Sequence, residues 1–234
     1  MTFDKRQRHT MMLPRIEIQA TADGSSTLYR PDMDEHYHST NGAVTEALHV
    51  YIQTGLHDCE APTRSVLEIG FGTGLNAILT YLEAEKCNLS IHYTTCELHP
   101  LPLATIQQLN YGLTPQASQI LTALHTSAWN TPCQISPFFT LEKLHIDLTQ
   151  SSIQGNFDVI YFDAFGPDKQ PEMWTEAIFE HLYKITNPGG ILVTYCAKGA
   201  VRRMLQSVGY TTERLPGPPG KREMLRARKS LRDD

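Results

Sequence analysis

The sequence predicts an α/β fold with a doubly wound, mostly parallel sheet. Four apolar runs, SVLEIG, IHYTTCE, FDVIYFD and ILVTYC, have the length and composition of buried strands, and segments with helical periodicity lie between them. This alternation is typical of a parallel sheet with right-handed crossovers and helices on both faces. The last segment differs, because YTTERLP and REMLRAR are joined by GPPG without a helix. It predicts an antiparallel hairpin at one edge of the sheet.

Length and composition indicate a globular protein with one substantial core. The chain has 234 residues, of which 41% are hydrophobic. Its formal net charge is −5, but the segment from Lys198 to the end holds ten Lys or Arg and only four Asp or Glu. A basic end on an acidic body predicts a local contact with a polyanion, although a solvated basic tail would have the same composition.

The lack of recognisable targeting signals and the spacing of the cysteines predict a cytoplasmic protein. The five cysteines are scattered without the spacing of a metal or disulfide framework, which is typical of a reducing compartment. The first 14 residues lack the apolar core of a signal peptide, and no later run approaches the roughly 18 apolar residues of a membrane span. We therefore expect a soluble protein without membrane association.

The first 60 residues are predicted to form an extension that packs on the main domain, residues 61–234. Alternating Ile16 and Ile18 before a DGSS turn predict a β-hairpin over residues 15–31. Apolar residues at helical spacing predict a helix over residues 41–56, closed by Gly55. Later helices are predicted within LNAILTYLEAEK, LPLATIQQLN, EMWTEAIFEHLYKIT and GAVRRMLQSVG.

A glycine-rich turn follows the first strand of the main domain. In LEIGFGTGLNA, Gly70, Gly72 and Gly74 allow a tight turn and a close approach of a ligand to the start of the next helix. Glu68 stands two residues before the first glycine. Spaced glycines alone also occur in dinucleotide-binding proteins, but the G-x-G-x-G spacing favours the first motif of S-adenosylmethionine-dependent methyltransferases.

Two carboxylates at later strand ends are candidates for contacts with the same ligand. Glu97 ends IHYTTCE, where a carboxylate can accept both hydroxyls of a ribose, although it could be a surface residue before a helix. Asp147 follows FFTLEKLHI and could accept from an adenine amino group, or could cap the turn that follows it.

Asp163 ends FDVIYFD at the edge of the sheet where open α/β folds bind ligands. Gly166 and Pro167 disfavour helix after it, while Pro171 suits the first turn of the helix that follows. This predicts a stiff loop that carries Asp163, Phe165 and Lys169 over the reactive end of the cofactor. The alternative is that Asp163 caps backbone groups of its own loop.

These motifs resemble the methyltransferase domain of the MnmC and MnmD family. The resemblance covers about residues 16–227 and rests on FDAFGPDKQPEMWT, LEIGFGTGLNA, DEHYHSTNGAVTEA and the stretch that includes KREML. It implies a class I methyltransferase fold with a seven-stranded sheet. It also implies transfer of a methyl group from S-adenosylmethionine to the amine of 5-aminomethyl-(2-thio)uridine at the tRNA wobble position. An FAD-dependent domain, which the long family members have, is not expected in 234 residues.

The resemblance also implies the site residues. It places the catalytic aspartate at Asp163. An ordinary aspartate has a pKa of about 3.9 and would be too weak a base to keep the proton of an alkylamine, whose pKa is about 10. Glu46 is a candidate contact of the methionine amino group or an exposed helix charge. The cofactor candidates are Glu46, Glu68, Gly70, Phe71, Gly72, Gly74, Asn76, Glu97 and Asp147.

The expected partner is the anticodon region of tRNA. A uridine that leaves its stack could be received by an aromatic ring, for which Phe165, Trp174 and Tyr195 are candidates, although Trp174 equally suits the core. The substrate-binding candidates are Phe165, Lys169, Arg202, Arg203, Lys221 and Arg222. Nothing in the sequence indicates the oligomeric state.

Other functions have to be weighed against this interpretation. A spermidine-synthase-like aminopropyltransferase shares a glycine turn and a strand-end aspartate, but the basic end is not explained by it. A methyltransferase for a small molecule or a protein, and a non-catalytic RNA-binding module, are further alternatives. A metal site at His36, His38, His49 and His57 is not expected, because their spacing lacks a closing acidic ligand.

Overall fold

The structure, a computed structural model, describes residues 16–231. Its N-terminal part contains a three-stranded antiparallel sheet of Glu17–Ala20 (β1), Ser26–Arg30 (β2) and Glu35–His36 (β3). The hairpin predicted over residues 15–31 corresponds to β1 and β2, and β3 adds a third strand. The segment of which we expected no signal peptide, residues 1–14, lies outside the described residues.

The helix predicted over residues 41–56 is only partly α-helical. Helix α1 spans Ala43–Ala47 and continues without a break as a π-helix over Leu48–Gln53, which is followed by a 3-10 turn, Leu56–Asp58. Asp23 fixes the start of α1, since its carboxylate accepts from the Thr45 amide at 2.9 Å and from the Thr45 hydroxyl at 2.8 Å. A regular helix to Leu56 was therefore the wrong expectation, because hydrophobic spacing does not reveal a change of helix type.

The central sheet has eight strands in the order β10-β11-β9-β8-β4-β5-β7-β6. Strands β9, β8, β4, β5 and β7 are parallel, while β6, β10 and β11 are antiparallel to their neighbours. The strands span Thr63–Ile69 (β4), Ser90–Glu97 (β5), Cys133–Ser136 (β6), Phe139–His145 (β7), Phe157–Phe162 (β8), Thr186–Thr194 (β9), Thr211–Pro216 (β10) and Glu223–Arg228 (β11). The mostly parallel sheet and the terminal hairpin are therefore confirmed.

Five further helices connect these strands. They span Leu75–Cys87 (α2), Leu103–Ile106 (α3), Pro115–Thr126 (α4), Glu176–Ile185 (α5) and Gly199–Ser207 (α6). Helix α4 was not predicted, although its start has clear signals: Pro115 is its first residue and the Thr114 hydroxyl accepts from the Ala117 amide at 3.2 Å.

Two details of the expected sheet and loop need correction. The sheet has eight strands rather than seven, because the short strand β6 pairs with the edge of β7. Pro171 does not open the long helix: it begins a 3-10 turn, Pro171–Met173, and α5 starts only after Thr175, whose hydroxyl caps it. The loop after Asp163 is therefore longer than predicted.

Buried residues form one core on each face of the sheet. Neighbouring residues of β4 alternate between them, with Val66 in one cluster and Leu67 in the other, as the two-residue period of a strand requires. Helices α2 and α4 cover the first face, together with Tyr51 and Ile52 of the π-helix, and α5 and α6 cover the second. This arrangement brings the N-terminal part against the same face as α2, beside the glycine-rich turn.

Within residues 16–231, no helix combines the length and the apolar composition that crossing a bilayer requires.

Candidate active site

Asp163 lies directly after β8, at the carboxyl end of the parallel strands. Its backbone amide donates to the carbonyl of Ile69 at the end of the neighbouring strand, at 3.2 Å. The Tyr51 hydroxyl donates to Oδ1 at 2.5 Å, and the Asn76 amide donates to Oδ2 at 2.8 Å. Both carboxylate oxygens are thus held by donors, one from the N-terminal part and one from α2.

Burial changes the acid strength of this carboxyl group. It raises the pKa of Asp163 to about 7, although the hydrogen bonds from Tyr51 and Asn76 oppose the shift. The nearby Glu46 carboxylate raises the same pKa further, and the Lys221 ammonium lowers it. Near neutral pH, Asp163 can therefore gain or lose a proton, unlike an exposed aspartate.

The glycine-rich turn lies against Asp163. Gly70 has φ of +93°, and a Cβ atom there would lie 3.2 Å from the carbonyl oxygen of Asp163. Gly74, with φ of +73°, immediately precedes α2, and a Cβ atom there would lie 2.7 Å from Nε2 of His125. The glycines are thus required both by backbone conformation and by the close approach of neighbouring groups.

Glu97 and Asp147 border the same space from the next two strand ends. Glu97 Oε2 accepts from the Gly72 amide at 3.0 Å, and Oε1 accepts from the His99 amide at 2.8 Å. Asp147 Oδ1 accepts from the amide and hydroxyl of Thr149 at 2.9 and 2.7 Å, which lowers its pKa. Asp147 caps its own turn and still faces the cleft, so both roles considered from the sequence are compatible with its position.

These residues line one cleft of about 720 Å³. Its volume is in the range of pockets that hold nucleoside-sized ligands. The predicted site residues that the structure brings together in its wall are Glu46, Gly70, Phe71, Gly72, Asn76, Glu97, Asp147, Asp163, Phe165, Lys169 and Lys221.

Five predicted site residues do not line this cleft: Glu68, Gly74, Arg202, Arg203 and Arg222. Glu68 is only 1% exposed and accepts from the Thr95 hydroxyl at 2.8 Å behind the glycine-rich turn. Glu68 is still within β4, one residue before its end, and its side chain is buried against the neighbouring strand instead of facing the cleft. Burial raises the pKa of Glu68 to about 8.

Every Lys and Arg in the cleft wall has a carboxylate partner. Arg30 pairs with Asp32 at 2.6 Å, Lys169 with Asp34 at 3.6 Å, Lys198 with Asp168, and Lys221 with Glu46 at 2.5 Å. The wall also contains further carboxylates, including Asp163 and Glu97. The cleft is therefore suited to an amine or another cation rather than to a phosphate.

Glu46 is held in the folded chain by an ion pair with Lys221. Glu46 is 8% exposed, and its other carboxylate oxygen accepts from the Ser39 amide at 3.1 Å. Lys221 also lies over the Tyr195 ring, with Nζ 4.0 Å from the ring centroid. Glu46 is thus a buried partner of Lys221 and not an exposed helix charge.

The three aromatic candidates occupy different environments. Phe165 lies in the cleft wall with its ring edge-on to Tyr37, at a centroid distance of 4.9 Å. Trp174 is 5% exposed and donates from Nε1 to the Phe165 carbonyl at 2.7 Å, so it belongs to the core and supports the loop from below. Tyr195 donates to the Ala164 carbonyl at 2.9 Å while its face contacts Lys221.

Sequence reasoning missed Tyr51. It is one of the apolar-face residues of the predicted helix, and spacing alone assigns such a residue to the core. Only the fold brings its hydroxyl to Asp163, which is 112 residues away in the chain. A tyrosine on an otherwise aliphatic helix face was the one available signal, because a buried hydroxyl needs a partner.

Among the residues that the structure describes, no cluster of three or more His, Cys, Asp or Glu side chains has an arrangement that could hold a metal ion.

Comparison with known proteins finds relatives that match most of this chain. The model of a family described as "S-adenosyl-L-methionine-dependent methyltransferase" matches residues 137–230. A protein of Cupriavidus necator, named "tRNA 5-methylaminomethyl-2-thiouridine biosynthesis bifunctional protein MnmC", is 33% identical over 213 residues, which are 84% of this chain and 32% of the relative. The protein of the same name from Azoarcus sp. is 30% identical over 238 residues, 93% of this chain and 36% of the relative. The chain thus spans about a third of the length of the curated relatives it matches.

Solved structures with the same fold agree with the topology. The crystal structure of MnmC2 from Aquifex aeolicus superimposes with a TM-score of 0.76 at 24% identity, covering 95% of this chain and 72% of that chain. Spermidine synthase from Thermotoga maritima gives a TM-score of 0.54 at 14% identity, covering 100% of this chain and 86% of that chain. At these identities the two structures show the fold, which is the Rossmann-like fold of class I methyltransferases, and not the substrate.

Proposed function

We propose that this chain, which matches a family of S-adenosyl-L-methionine-dependent methyltransferases over residues 137–230 and MnmC proteins over most of its length, methylates an aminomethyl group on a tRNA wobble uridine. The substrate would be 5-aminomethyl-(2-thio)uridine and the product its 5-methylaminomethyl derivative. The similarity to MnmC proteins supports the substrate. The observation that carries the chemistry is the position of Asp163, an acid with a pKa near neutrality beside the glycine-rich turn.

The cleft fits S-adenosylmethionine as the cofactor. Gly70 and Gly72 of the glycine-rich turn lie in the cleft wall, and Glu97 in the neighbouring wall offers a carboxylate to ribose hydroxyls. Asn76 has a buried side-chain oxygen without a hydrogen-bond partner, in the same wall as Asp163. We propose that these groups and Asp147 hold the cofactor. When bound, it supplies an electrophilic methyl group on a sulfonium.

Asp163 is assigned to the substrate amine. An alkylamine with a pKa of about 10 is almost fully protonated near pH 7, and only the neutral form is a nucleophile. The raised pKa of Asp163, about 7, reduces the gap between the two groups to roughly half of that expected for an exposed aspartate. The ionised carboxylate can therefore accept a hydrogen bond from the amine, orient it and take its proton. At this pKa, Asp163 is a stronger base than the ordinary aspartate expected from the sequence.

The charges in the wall support an amine as substrate. Because Lys169, Lys198 and Lys221 are already paired with carboxylates, they do not oppose the approach of an ammonium group. The carboxylates of Asp163 and Glu97 in the same wall attract it. An aminomethyl group fits this environment better than a carboxylate or a phosphate does.

The tRNA backbone is proposed to lie outside the cleft. Arg203 and Arg222 are exposed, on α6 and between β10 and β11, and phosphates of the anticodon region could reach them while the base enters the cleft. Phe165 is the proposed stacking partner of the base, since it lies in the wall next to Asp163. We place the reaction in the cytoplasm, where the five free cysteines stay reduced.

The N-terminal part and the main domain are proposed to act as one catalytic unit. Residues 1–60 would form the extension and residues 61–234 the methyltransferase domain. The extension supplies Glu46 to the cleft wall and the Tyr51 hydroxyl to Asp163, and the domain supplies Asp163 and Asn76 to the wall.

The decisive experiment is nucleoside mass spectrometry of tRNA that carries the aminomethyl uridine, after incubation with the protein and S-adenosylmethionine. A gain of one methyl group on that nucleoside is expected. The variant Asp163→Ala should bind S-adenosylmethionine in calorimetry like the wild type and lose turnover by at least a hundredfold, the usual contribution of general-base catalysis. Unmodified tRNA with the wild type, or normal turnover with the variant, would contradict the proposal.

A further inference from the structure

We infer that Tyr51 is a positioning residue that sets the protonation state of Asp163, and with it the pH range in which the enzyme works. The inference rests on the proposed function insofar as it concerns the working pH. Its structural part, the control of one carboxylate by one hydroxyl, stands on contacts within this chain.

The hydrogen bond and the burial of Tyr51 assign this role to it. Its hydroxyl is 2.5 Å from Asp163 Oδ1, the shorter of the two hydrogen bonds to this carboxylate. The side chain is 2% exposed and packs against Tyr161, at a centroid distance of 5.2 Å, so it has little freedom to turn away. It stands on the π-helix, whose wide turn is a frequent feature of functional sites.

Other charged or titratable groups face Asp163 from every element packed around it. They are Glu46 from α1, Lys221 from the β10–β11 loop, Glu68 from β4, Tyr93 from β5 and Tyr195 after β9. Lys221 is the one cation among them and is itself paired with Glu46. The carboxylates of Glu46 and Glu68 disfavour a negative charge on Asp163, whereas Tyr93 and Tyr195 stay neutral because burial raises their own pKa values.

The hydroxyl of Tyr51 therefore opposes burial and the neighbouring acids. A donor stabilises the ionised carboxylate more than the protonated form, so the hydrogen bond lowers the pKa of Asp163. Removing it should raise this pKa above its value of about 7. Since hydrogen bonds to charged groups are the stronger ones, a rise of about one pH unit is expected. Asp163 would then be mostly protonated, and inactive as a base, at pH 7.

The test is a pH titration of the protein labelled with [13Cγ]aspartate, followed by NMR. The resonance of Asp163 is assigned by its loss in Asp163→Asn. In Tyr51→Phe its midpoint should rise by about one unit. Tyr161→Phe is the matched control: it removes a buried hydroxyl from the adjacent ring, which contacts Thr80 at 3.4 Å and not Asp163, and should leave the midpoint in place. An unmoved midpoint in Tyr51→Phe, or an equal rise in both variants, would overturn the inference.

A measurement on the wild type does not depend on the folding of any tyrosine variant. With [13Cζ]tyrosine, one tyrosine resonance should titrate with the same midpoint as Asp163, and that titration should vanish in Asp163→Asn. If no tyrosine resonance follows Asp163, the hydrogen bond does not act as inferred.

Activity separates this inference from the proposed function. At pH 7, Tyr51→Phe should methylate tRNA about fivefold more slowly than the wild type, because a smaller fraction of its Asp163 is ionised. Near pH 9 the two rates should converge, because Asp163 is then almost fully ionised in both proteins. If the wild type methylates no tRNA, the proposed function fails while the NMR titration still decides the role of Tyr51. If it does methylate tRNA but the variant's pH profile is unshifted, the inference fails and the function stands.

Discussion

Replacing Glu68 by glutamine should make the protein more stable at neutral pH. Glu68 is 1% exposed, and burial raises its pKa from the ordinary value of 4.5 to about 8. The folded state thus holds a proton that the unfolded state has already released at pH 7. Stability contributed by this group is present below pH 4.5 and is progressively lost as the pH rises toward 8.

The size of the effect follows from the two pKa values. Between pH 4.5 and pH 7 the loss is about 1.4 kcal/mol per pH unit, or roughly 3 kcal/mol at pH 7, and at pH 5 it is about 1 kcal/mol or less. Glutamine has nearly the same shape and no charge, and its oxygen can still accept from the Thr95 hydroxyl, which lies 2.8 Å from Glu68. The free energy of unfolding of Glu68→Gln should therefore exceed that of the wild type by up to about 3 kcal/mol at pH 7.

The assay is urea unfolding followed by circular dichroism, at pH 5 and at pH 7.5, for the wild type and the variant. Asp163 titrates in the same range and interacts with Glu68, so both proteins carry the Asp163→Asn substitution. Glu60→Gln, at an exposed position before β4, corrects for the change in net charge. The reasoning is refuted if the stability difference for Glu68→Gln is the same at both pH values, or if the wild type is the more stable protein at pH 7.5.

Two further predictions concern the glycine-rich turn and the basic loop. Gly74→Ala should lower the free energy of unfolding by about 1–3 kcal/mol, because it forces a left-handed backbone conformation on alanine and brings its Cβ to within 2.7 Å of His125; an unchanged urea midpoint would speak against this. Arg222→Gln, which removes an exposed charge, should reduce the salt dependence of tRNA binding by about one unit of slope, whereas Lys221→Gln should not, because Lys221 is already paired with Glu46. The reverse order of the two slopes would move the RNA contact into the cleft.

The sequence contains local signals for most of the fold. Apolar runs bounded by polar residues identify four of the five parallel strands, and GPPG between two strand-like segments identifies the terminal hairpin. The glycine spacing likewise places a turn at the start of α2. These signals are readable because each depends on residues that are near one another in the chain.

What the sequence does not reveal depends on contacts between distant residues. The charge of Lys221 predicts a contact with the substrate, but charge alone does not show that Glu46, on another element, already neutralises it. The raised pKa of Asp163 comes from burial that several elements create together. Strand β6 has only four residues, and its pairing with β7 is set by the neighbouring strand rather than by its own pattern.

The π-helix over Leu48–Gln53 makes the length of this segment a functional quantity. In an α-helix each residue advances by about 100° around the axis. Deletion of one residue from this segment would convert the π-helix to a regular α-helix and rotate Tyr51 about the helix axis by about that angle. Such a deletion would leave hydrophobicity and net charge almost untouched. It would nonetheless move the Tyr51 hydroxyl away from Asp163. The number of residues in this segment therefore predicts which homologues lack the inferred control of Asp163.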